Sequence, residues 1–261
     1  MTTLNIVVCV KQVPDTAVER TLTPEGTLDR ESPDGLINEL DEYAIEEGLK
    51  IAEAHGGEVT ILSMGPAKAA DSVRKALSMG ADKAVHVLDD GLAGSDALAT
   101  SAALAAALTR VGFDLVILGS ESTDARTGVV PAMLAERLGV PQLTLAATVE
   151  VSGAGVTVRR LTEDGYAVVT GSLPAVVSVV EKINEPRYPT FKGIMAAKKK
   201  PVQTLTLADL AVDTGSVGLA GAATGIADWA ARPPRTAGVV VKDEGDGGSQ
   251  VAGFLAERKF I

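Results

Sequence analysis

The chain has 261 residues, 46% of them hydrophobic, which is enough for one large domain or two small ones with a sizeable buried core. No apolar run is long enough to span a membrane and no basic leader precedes Leu4, so we expect a cytoplasmic chain without membrane insertion. The net charge of −10, with one Trp, three Tyr and four Phe, argues against a nucleic-acid binder, which needs basic patches and stacking aromatics. A single cysteine, Cys9, excludes an internal disulfide.

The first half of the chain alternates short apolar runs with segments of helical periodicity. The predicted strands cover residues 4–10, 59–62, 84–88 and 115–118, and the predicted helices lie between Asn38 and Gly56 and over about 67–79, 96–110 and 129–138. Alternation of this kind is typical of a doubly wound, mostly parallel α/β sheet of Rossmann-like type.

From Pro141 the pattern changes to alternating, β-branched segments. Residues 144–151, 156–161 and 166–169 predict added antiparallel strands, and Glu163-Asp164-Gly165 predicts a hairpin turn. A further strand over 175–180 leads into a long connection, and glycine- and proline-rich sequence follows Leu210. We therefore predict an α/β domain over residues 1–212 and an extended C-terminal arm over residues 213–261.

Ligands of doubly wound sheets bind beyond the carboxyl ends of the strands, so residues that directly follow strands are the candidates for a site. They are Cys9–Lys11, Ser63–Pro66 and residues 119–128, which we call the strand-end loop. The strand-end loop is rich in Gly, Ser and Thr and runs into a helix, where free N–H groups could bind a phosphate and Arg126 could add a charged donor. Simple helix capping by Ser, Thr and Asp explains the same composition equally well.

The sequence carries no motif for catalysis. It has neither a Walker P-loop nor a dinucleotide fingerprint after a strand, so nucleoside triphosphate hydrolysis is not expected. Its two histidines, His55 and His86, offer no metal or nucleophile constellation. We predict neither catalytic residues nor a metal site.

Residues 184–201, which we call the basic segment, form the longest connection. Residues 181–200 hold six cationic and two acidic side chains, a net charge of +4 within a protein of −10. A solvated charge run is one interpretation. Interleaved Tyr188, Phe191, Ile194 and Met195 favour instead the docking of a partner by an apolar anchor with a charged rim.

Several motifs, in this order and spacing, carry a family resemblance. They are VKQVPDT at 10–16, NELDEYA at 38–44, MGPA at 64–67, ALSMGAD at 76–82, the stretch 124–139 ending in LAERLG, EPRY at 185–188 and IMAAKKKP at 194–201. Through them the chain resembles the β (small) subunit of electron transfer flavoproteins over nearly its full length.

The resemblance implies a heterodimer whose α subunit holds most of a redox-active FAD, while the β subunit binds AMP without a redox role. The implied nucleotide-binding residues are Cys9, Asn38, Glu39, Leu40, Asp41, Met64, Gly119, Ser120, Glu121, Ser122, Thr123, Asp124, Ala125, Arg126 and Thr127. The implied docking residues are Tyr188, Phe191, Ile194, Met195, Lys198, Lys199 and Lys200, with Phe191 at an anchor position that is commonly aliphatic in the family.

The same resemblance implies an electron carrier, not an enzyme. It would accept electrons from acyl-CoA and related dehydrogenases, as in fatty acid β-oxidation, and pass them to a quinone oxidoreductase of the respiratory chain. Two alternatives stay open: a bifurcating relative with a second FAD in place of AMP, and a free-standing adenine-nucleotide sensor without a redox partner.

Overall fold

The computed structural model describes residues 3–230, 233–234, 238 and 240–261, which fall into two compact units. The first unit runs to Ile226 and the second covers Ala227–Ile261. Residues 213–226, the first part of the predicted arm, belong to the first unit, where Thr224 donates from its backbone and hydroxyl to Asp96 Oδ2, each at 3.0 Å. No helix among these described residues combines the length and apolar character needed to cross a membrane.

The described part of the first unit forms one nine-stranded sheet and a two-stranded one. The strands are β1 (Leu4–Cys9), β2 (Gln12–Pro14), β3 (Gly35–Ile37), β4 (Gly57–Met64), β5 (Lys83–Val87), β6 (Leu115–Gly119), β7 (Gln142–Ser152), β8 (Gly155–Thr162), β9 (Gly165–Ser172), β10 (Ala175–Val179) and β11 (Val202–Leu205). The large sheet has the order β11-β5-β4-β1-β6-β10-β7-β8-β9. Its strands are parallel from β11 to β7, and β8 and β9 are antiparallel, which confirms the predicted fold class.

Helices cover both faces of the parallel part of the sheet. The α-helices of the described residues are α1 (Glu39–His55), α2 (Ala70–Met79), α3 (Ala97–Val111), α4 (Val130–Leu138), α5 (Phe191–Ala197), α6 (Gly218–Gly221) and α7 (Gly247–Glu257). One core contains apolar residues of α1 and α2, and the other contains those of α3 and α4. The two cores lie on opposite faces of the sheet, because successive side chains of a strand point to opposite faces. In β1, Ile6 and Val8 face the first core, while Val7 and Cys9 face the second.

The structure contains two short elements that sequence patterns did not indicate. The ladder between β2 and β3 lies at the ends of the polar connection that precedes α1, and β11 adds an edge strand beside β5. Strands of three and four residues are too short for a recognisable period, so only pairing with distant residues defines them.

In the second unit, α7 begins after a turn that Asp243 stabilises. Its carboxylate oxygen Oδ1 accepts hydrogen bonds from Gly245 N at 2.8 Å and Gly247 N at 2.9 Å. Phe254 on this helix, and Phe260 and Ile261 after it, are exposed. This unit therefore presents apolar side chains to its surroundings.

Candidate functional site

The sheet changes direction beside β1. The chain builds outward from β1 through β4 to β5, then crosses back so that β6 pairs with the other edge of β1. The carboxyl ends of β4, β1 and β6 therefore lie side by side, with Met64, Cys9 and Gly119 as their last residues. Such a switch point is where ligands bind in doubly wound sheets, so the structure brings these three predicted site residues together.

The first turn of α1 closes over this edge through Asp41. Its carboxylate accepts a hydrogen bond from Lys11 N at 2.8 Å and another from Gly119 N at 3.3 Å. A Cβ atom at Gly119 would lie 2.6 Å from Asp41 Oδ1 and 2.8 Å from Leu40 Cβ, so only glycine permits this approach. Glu39 and Leu40 precede Asp41 on the same turn, and Glu39 is exposed.

Burial changes the acidity of two groups here. Burial raises the pKa of Asp41 to about 7, although hydrogen bonds from Lys11 N, Asn38 and Gly119 N favour the carboxylate. Burial also raises the pKa of the Cys9 thiol to about 12, and the nearby Asp41 charge adds to that shift. The Cys9 thiol therefore stays protonated and unreactive and offers only apolar contact, whereas Asp41 titrates close to neutral pH.

Asn38 holds the strand-end loop. It occupies the N-cap position of α1 as predicted, but its side chain makes no capping hydrogen bond. Instead, Asn38 Nδ2 donates to Glu121 O at 3.0 Å, and its Oδ1 accepts from Thr123 N at 3.0 Å. This buried amide satisfies two backbone groups of a loop more than eighty positions away, a role that the local sequence does not reveal.

A second set of contacts fixes the middle of the loop at Asp124, whose side chain is only 1% exposed. Lys11 Nζ donates to Asp124 Oδ1 at 2.8 Å and to Ser122 Oγ at 3.2 Å, and Arg30 donates to Asp124 Oδ2 at 2.6 Å. Arg20 also donates to Thr123 O at 2.7 Å. Burial alone would raise the pKa of Asp124, but the charge and hydrogen bond of Lys11, with Ser122 and Arg30, hold it well below its usual range.

Sequence reasoning places Lys11 among the candidates that follow the first strand but gives it no role, and it leaves Arg20 and Arg30 out of the site. Lys11 directly follows a strand, which is a usable signal. Arg20 and Arg30 come from an irregular connection and carry no local signal, because only the tertiary fold brings that connection onto the strand-end loop.

The end of the strand-end loop, with Val129 directly after it, presents donors that are not used within the described chain. The backbone N–H groups of Thr127, Gly128 and Val129 have no acceptor there, and they immediately precede α4. Thr123 Oγ1 and Ser63 Oγ are buried without a hydrogen-bond partner among the same residues. Ser120 is buried, while Ala125 and Arg126 are exposed.

These features suit an anion bound at the helix N-terminus. Free N–H groups and the helix dipole favour negative charge there, and the unpaired hydroxyls add further hydrogen-bonding capacity. Arg126 lies 3.8 Å from the Glu121 carboxylate in an exposed position, and its backbone adopts φ +50°.

The basic segment contains α5, which lies on α2. Thr190 caps α5 by accepting a hydrogen bond from Gly193 N at 3.0 Å, and a Cβ atom at Gly193 would lie 2.5 Å from Ser78 O. Tyr188 is 91% exposed and Phe191 is 80% exposed. Ile194 and Met195 follow Phe191 at helical spacing and are also exposed, so these three predicted docking residues share one face of α5, and Tyr188 is exposed on the connection before that helix.

The cations of this segment divide into two groups. Lys200 Nζ donates to the carbonyls of Leu77, Gly80 and Ala81 at the end of α2, so it caps that helix. Arg187 is bound by carboxylates of α1. The net charge of +4 therefore overstates the positive charge available to a partner, and the exposed rim consists of Lys192, Lys198 and Lys199.

Comparisons with known proteins agree with this architecture. The model of the electron transfer flavoprotein domain family matches residues 25–210. The chain is 53% identical to the electron transfer flavoprotein subunit beta of Mycobacterium leprae, over 98% of this chain and 99% of that protein. It is 38% identical to the protein of the same name in Clostridium acetobutylicum, over 99% of this chain and all of that protein. It is also 36% identical, over 92% of each chain, to the acryloyl-CoA reductase electron transfer subunit gamma of Anaerotignum propionicum.

Proposed function

This chain belongs to the electron transfer flavoprotein family, as an electron-carrier β subunit, and we propose that it binds AMP structurally at the switch point of its sheet. The observation that carries this proposal is the strand-end loop. Its free N–H groups precede α4, and buried contacts from Asn38 and Asp124 fix its shape. A loop fixed in advance binds a phosphate without a further ordering cost.

The residues present fit a nucleoside monophosphate. The unbonded N–H groups at Thr127, Gly128 and Val129 suit the phosphate, and the unpaired Thr123 Oγ1 suits a polar atom of the ligand. Met64 and Leu40 are half-buried at the same edge of the sheet, at the end of β4 and against Gly119, and offer apolar contact for a base. No Walker lysine accompanies the loop, which fits a ligand that is retained without hydrolysis.

Release of bound nucleotides tests the proposal directly. We expect denaturation of the co-purified complex of this chain with its α subunit to release about one AMP and one FAD per heterodimer. Two FAD and no AMP would establish the bifurcating alternative. A stable, flavin-free monomer with exchangeable ATP would instead establish the nucleotide sensor.

FAD fits this proposal as the group held mainly by the α subunit, where it would supply reversible electron transfer. Within this chain, the exposed apolar residues Phe254, Phe260 and Ile261 of the second unit suit contact with that subunit. We therefore assign binding of the α subunit to the predicted arm, residues 213–261. The contact would be made by the part of the arm beyond Ile226. Deleting residues 227–261 should lower heterodimer yield and FAD content, whereas unchanged yield and FAD content would contradict the assignment.

The basic segment suits a dehydrogenase. Its exposed aromatic and aliphatic side chains are flanked by Lys192, Lys198 and Lys199, an arrangement that fits an apolar pocket with an acidic rim. The acryloyl-CoA reductase electron transfer subunit among the relatives supports acyl-CoA enzymes as redox partners. We propose acyl-CoA and related dehydrogenases in the cytoplasm as donors, with a quinone oxidoreductase as the acceptor.

A further inference from the structure

Arg187 lies at the start of the basic segment, where the backbone has little support of its own. Among the described residues, Glu185–Pro189 form no backbone–backbone hydrogen bond. Their one backbone bond runs from Arg187 N to Glu46 Oε2, at 3.1 Å. The segment that leads to Tyr188 and Phe191 therefore depends on side-chain contacts for its position.

The Arg187 guanidinium supplies most of those contacts. It donates to both oxygens of Glu46, from Nε at 2.7 Å and from NH2 at 3.0 Å. It also donates to both oxygens of Glu53, at 2.6 Å and 3.2 Å. Glu46 and Glu53 lie on α1, and the Glu46 side chain is only 8% exposed. A fork shared between two carboxylates fixes direction as well as distance, which a lysine could not do.

Two neighbouring contacts fix the rest of the segment. Asn184 Nδ2 donates to Tyr43 O and to Glu47 Oε2 of α1, each at 3.0 Å. At the far end, Arg74 of α2 donates to Ala197 O at 2.8 Å. The exposed apolar residues thus lie between two attachment points, and Arg187 is the attachment nearest to Phe191.

We propose that Arg187 is a positioning residue for docking: by joining the basic segment to Glu46 and Glu53 of α1, it holds the apolar surface in its binding geometry before a dehydrogenase arrives. This inference rests on the proposed docking function. The carboxylates of α1 occupy its guanidinium, so Arg187 acts through geometry and not by attracting an acidic partner. Without the fork, the partner would have to order the segment on binding, at a cost in affinity.

Electron transfer from a dehydrogenase to the co-purified heterodimer tests the proposal. Arg187→Gln should raise the apparent Kd about fivefold to tenfold with the rate at saturation unchanged, since immobilising a few side chains costs this much affinity. The rise should persist at about 0.5 M salt, where attraction between exposed charges is screened. Arg187→Lys, which keeps the charge but not the fork, should also weaken docking, though less.

Two further variants separate geometry from charge. Glu46→Gln makes the protein less negative, so steering of an acidic partner would improve, whereas loss of positioning should weaken docking. Lys182→Gln removes one positive charge from an exposed site outside the fork and should have no effect at high salt. Hydrogen exchange of residues 185–195 should accelerate in Arg187→Gln and Glu46→Gln, while nucleotide content stays at the parental value.

The outcomes distinguish this inference from the docking function itself. If Phe191→Ala weakens docking but Arg187→Gln and Glu46→Gln do not, the segment docks and the positioning role is wrong. If Glu46→Gln tightens docking, Arg187 acts by its charge and the positioning role is also wrong. If Phe191→Ala has no effect, both the docking function and this inference are overturned.

Discussion

The strand-end loop and the basic segment both follow the carboxyl ends of adjacent strands, β6 and β10, and both are fastened to α1. They use that support in opposite ways. Asn38 and Asp41 at the start of α1 fix a loop that offers polar N–H groups. Glu46 and Glu53, further along the helix, fix a segment that exposes apolar side chains.

The difference follows from what each region has to bind. A small polar ligand needs donors already placed, so the contacts that hold the strand-end loop are buried and local to the site. A protein partner needs accessible apolar area, so the basic segment is fixed at its ends and leaves Tyr188 and Phe191 uncovered. Mutations in the first region should therefore change stability and nucleotide content, and those in the second should change partner affinity.

The largest expected effect concerns the pH dependence of stability at Asp41. The pKa of Asp41 is about 7 in the folded protein, against an ordinary value of 3.8. Folding therefore takes up a proton at pH values between these two pKa values. The stability that protonated Asp41 contributes is fully present below about pH 4 and is lost as pH rises to about 7, on the order of 4 kcal/mol. Asp41→Asn should flatten this slope in denaturation curves of the heterodimer.

Asp124 provides a matched control for Asp41. Its pKa is held below the ordinary range, so its stabilisation is present above about pH 4 and is lost as pH falls below that value. Asp124→Asn should therefore change the slope only on the acid side. Equal effects of the two variants between pH 4 and 7 would contradict the opposite environments that we assign to the two carboxyls.

Asn38→Ala should have the next largest effect. It removes the partners of Glu121 O and Thr123 N, and two buried groups left unpaired cost about 3 kcal/mol together. We expect lower unfolding free energy and lower nucleotide content, measured after purification of the heterodimer. Asn38→Asp keeps the acceptor for Thr123 N but buries a second carboxyl beside Asp41 and opposite Glu121 O, so it should not restore stability. Unchanged nucleotide content in Asn38→Ala would show that the loop does not depend on this amide.

Phe191→Ala should change docking and leave the nucleotide region intact. Truncation of a buried aromatic anchor costs about 2 kcal/mol, which is roughly a 30-fold rise in the apparent Kd for a dehydrogenase. AMP, FAD and heterodimer content should stay at parental levels. A parental rate of flavin reduction across a wide range of dehydrogenase concentrations would contradict the anchor role.

The smallest effect is expected for Lys198→Ala. Lys198 is an exposed rim cation, and such charges contribute less than about 1 kcal/mol. Association of the variant with the dehydrogenase should be slower than that of the parental protein at low salt. At high salt the two rates should be equal, because screening removes the electrostatic attraction in the variant and in the parental protein alike. Stopped-flow measurements at several salt concentrations check this, and an effect that does not depend on salt would be inconsistent with a rim role.

Much of the fold was predictable from local pattern. Local patterns indicate burial directly, because one or both faces of each strand or helix must contact the core. Examples are the apolar run Leu4–Cys9 and the helical periodicity between Asn38 and Gly56. The strand-end positions followed from this prediction, since ligands of doubly wound sheets bind beyond the carboxyl ends of the strands. Their ligand, and the docking role of the basic segment, stay predictions.

The sequence by itself determined the alternation of strands and helices, the residues that follow the strands, and the concentration of charge and apolar residues in the basic segment. The strand order, and with it the place where the sheet changes direction, came from the tertiary structure. Only the tertiary structure decided that Asn38 binds a distant loop instead of capping its own helix, and that Arg187 and Lys200 are occupied within the protein. The physical reason is that periodicity reflects burial, which is local, whereas a polar side chain finds its partner wherever the fold brings a donor or acceptor within about 3 Å.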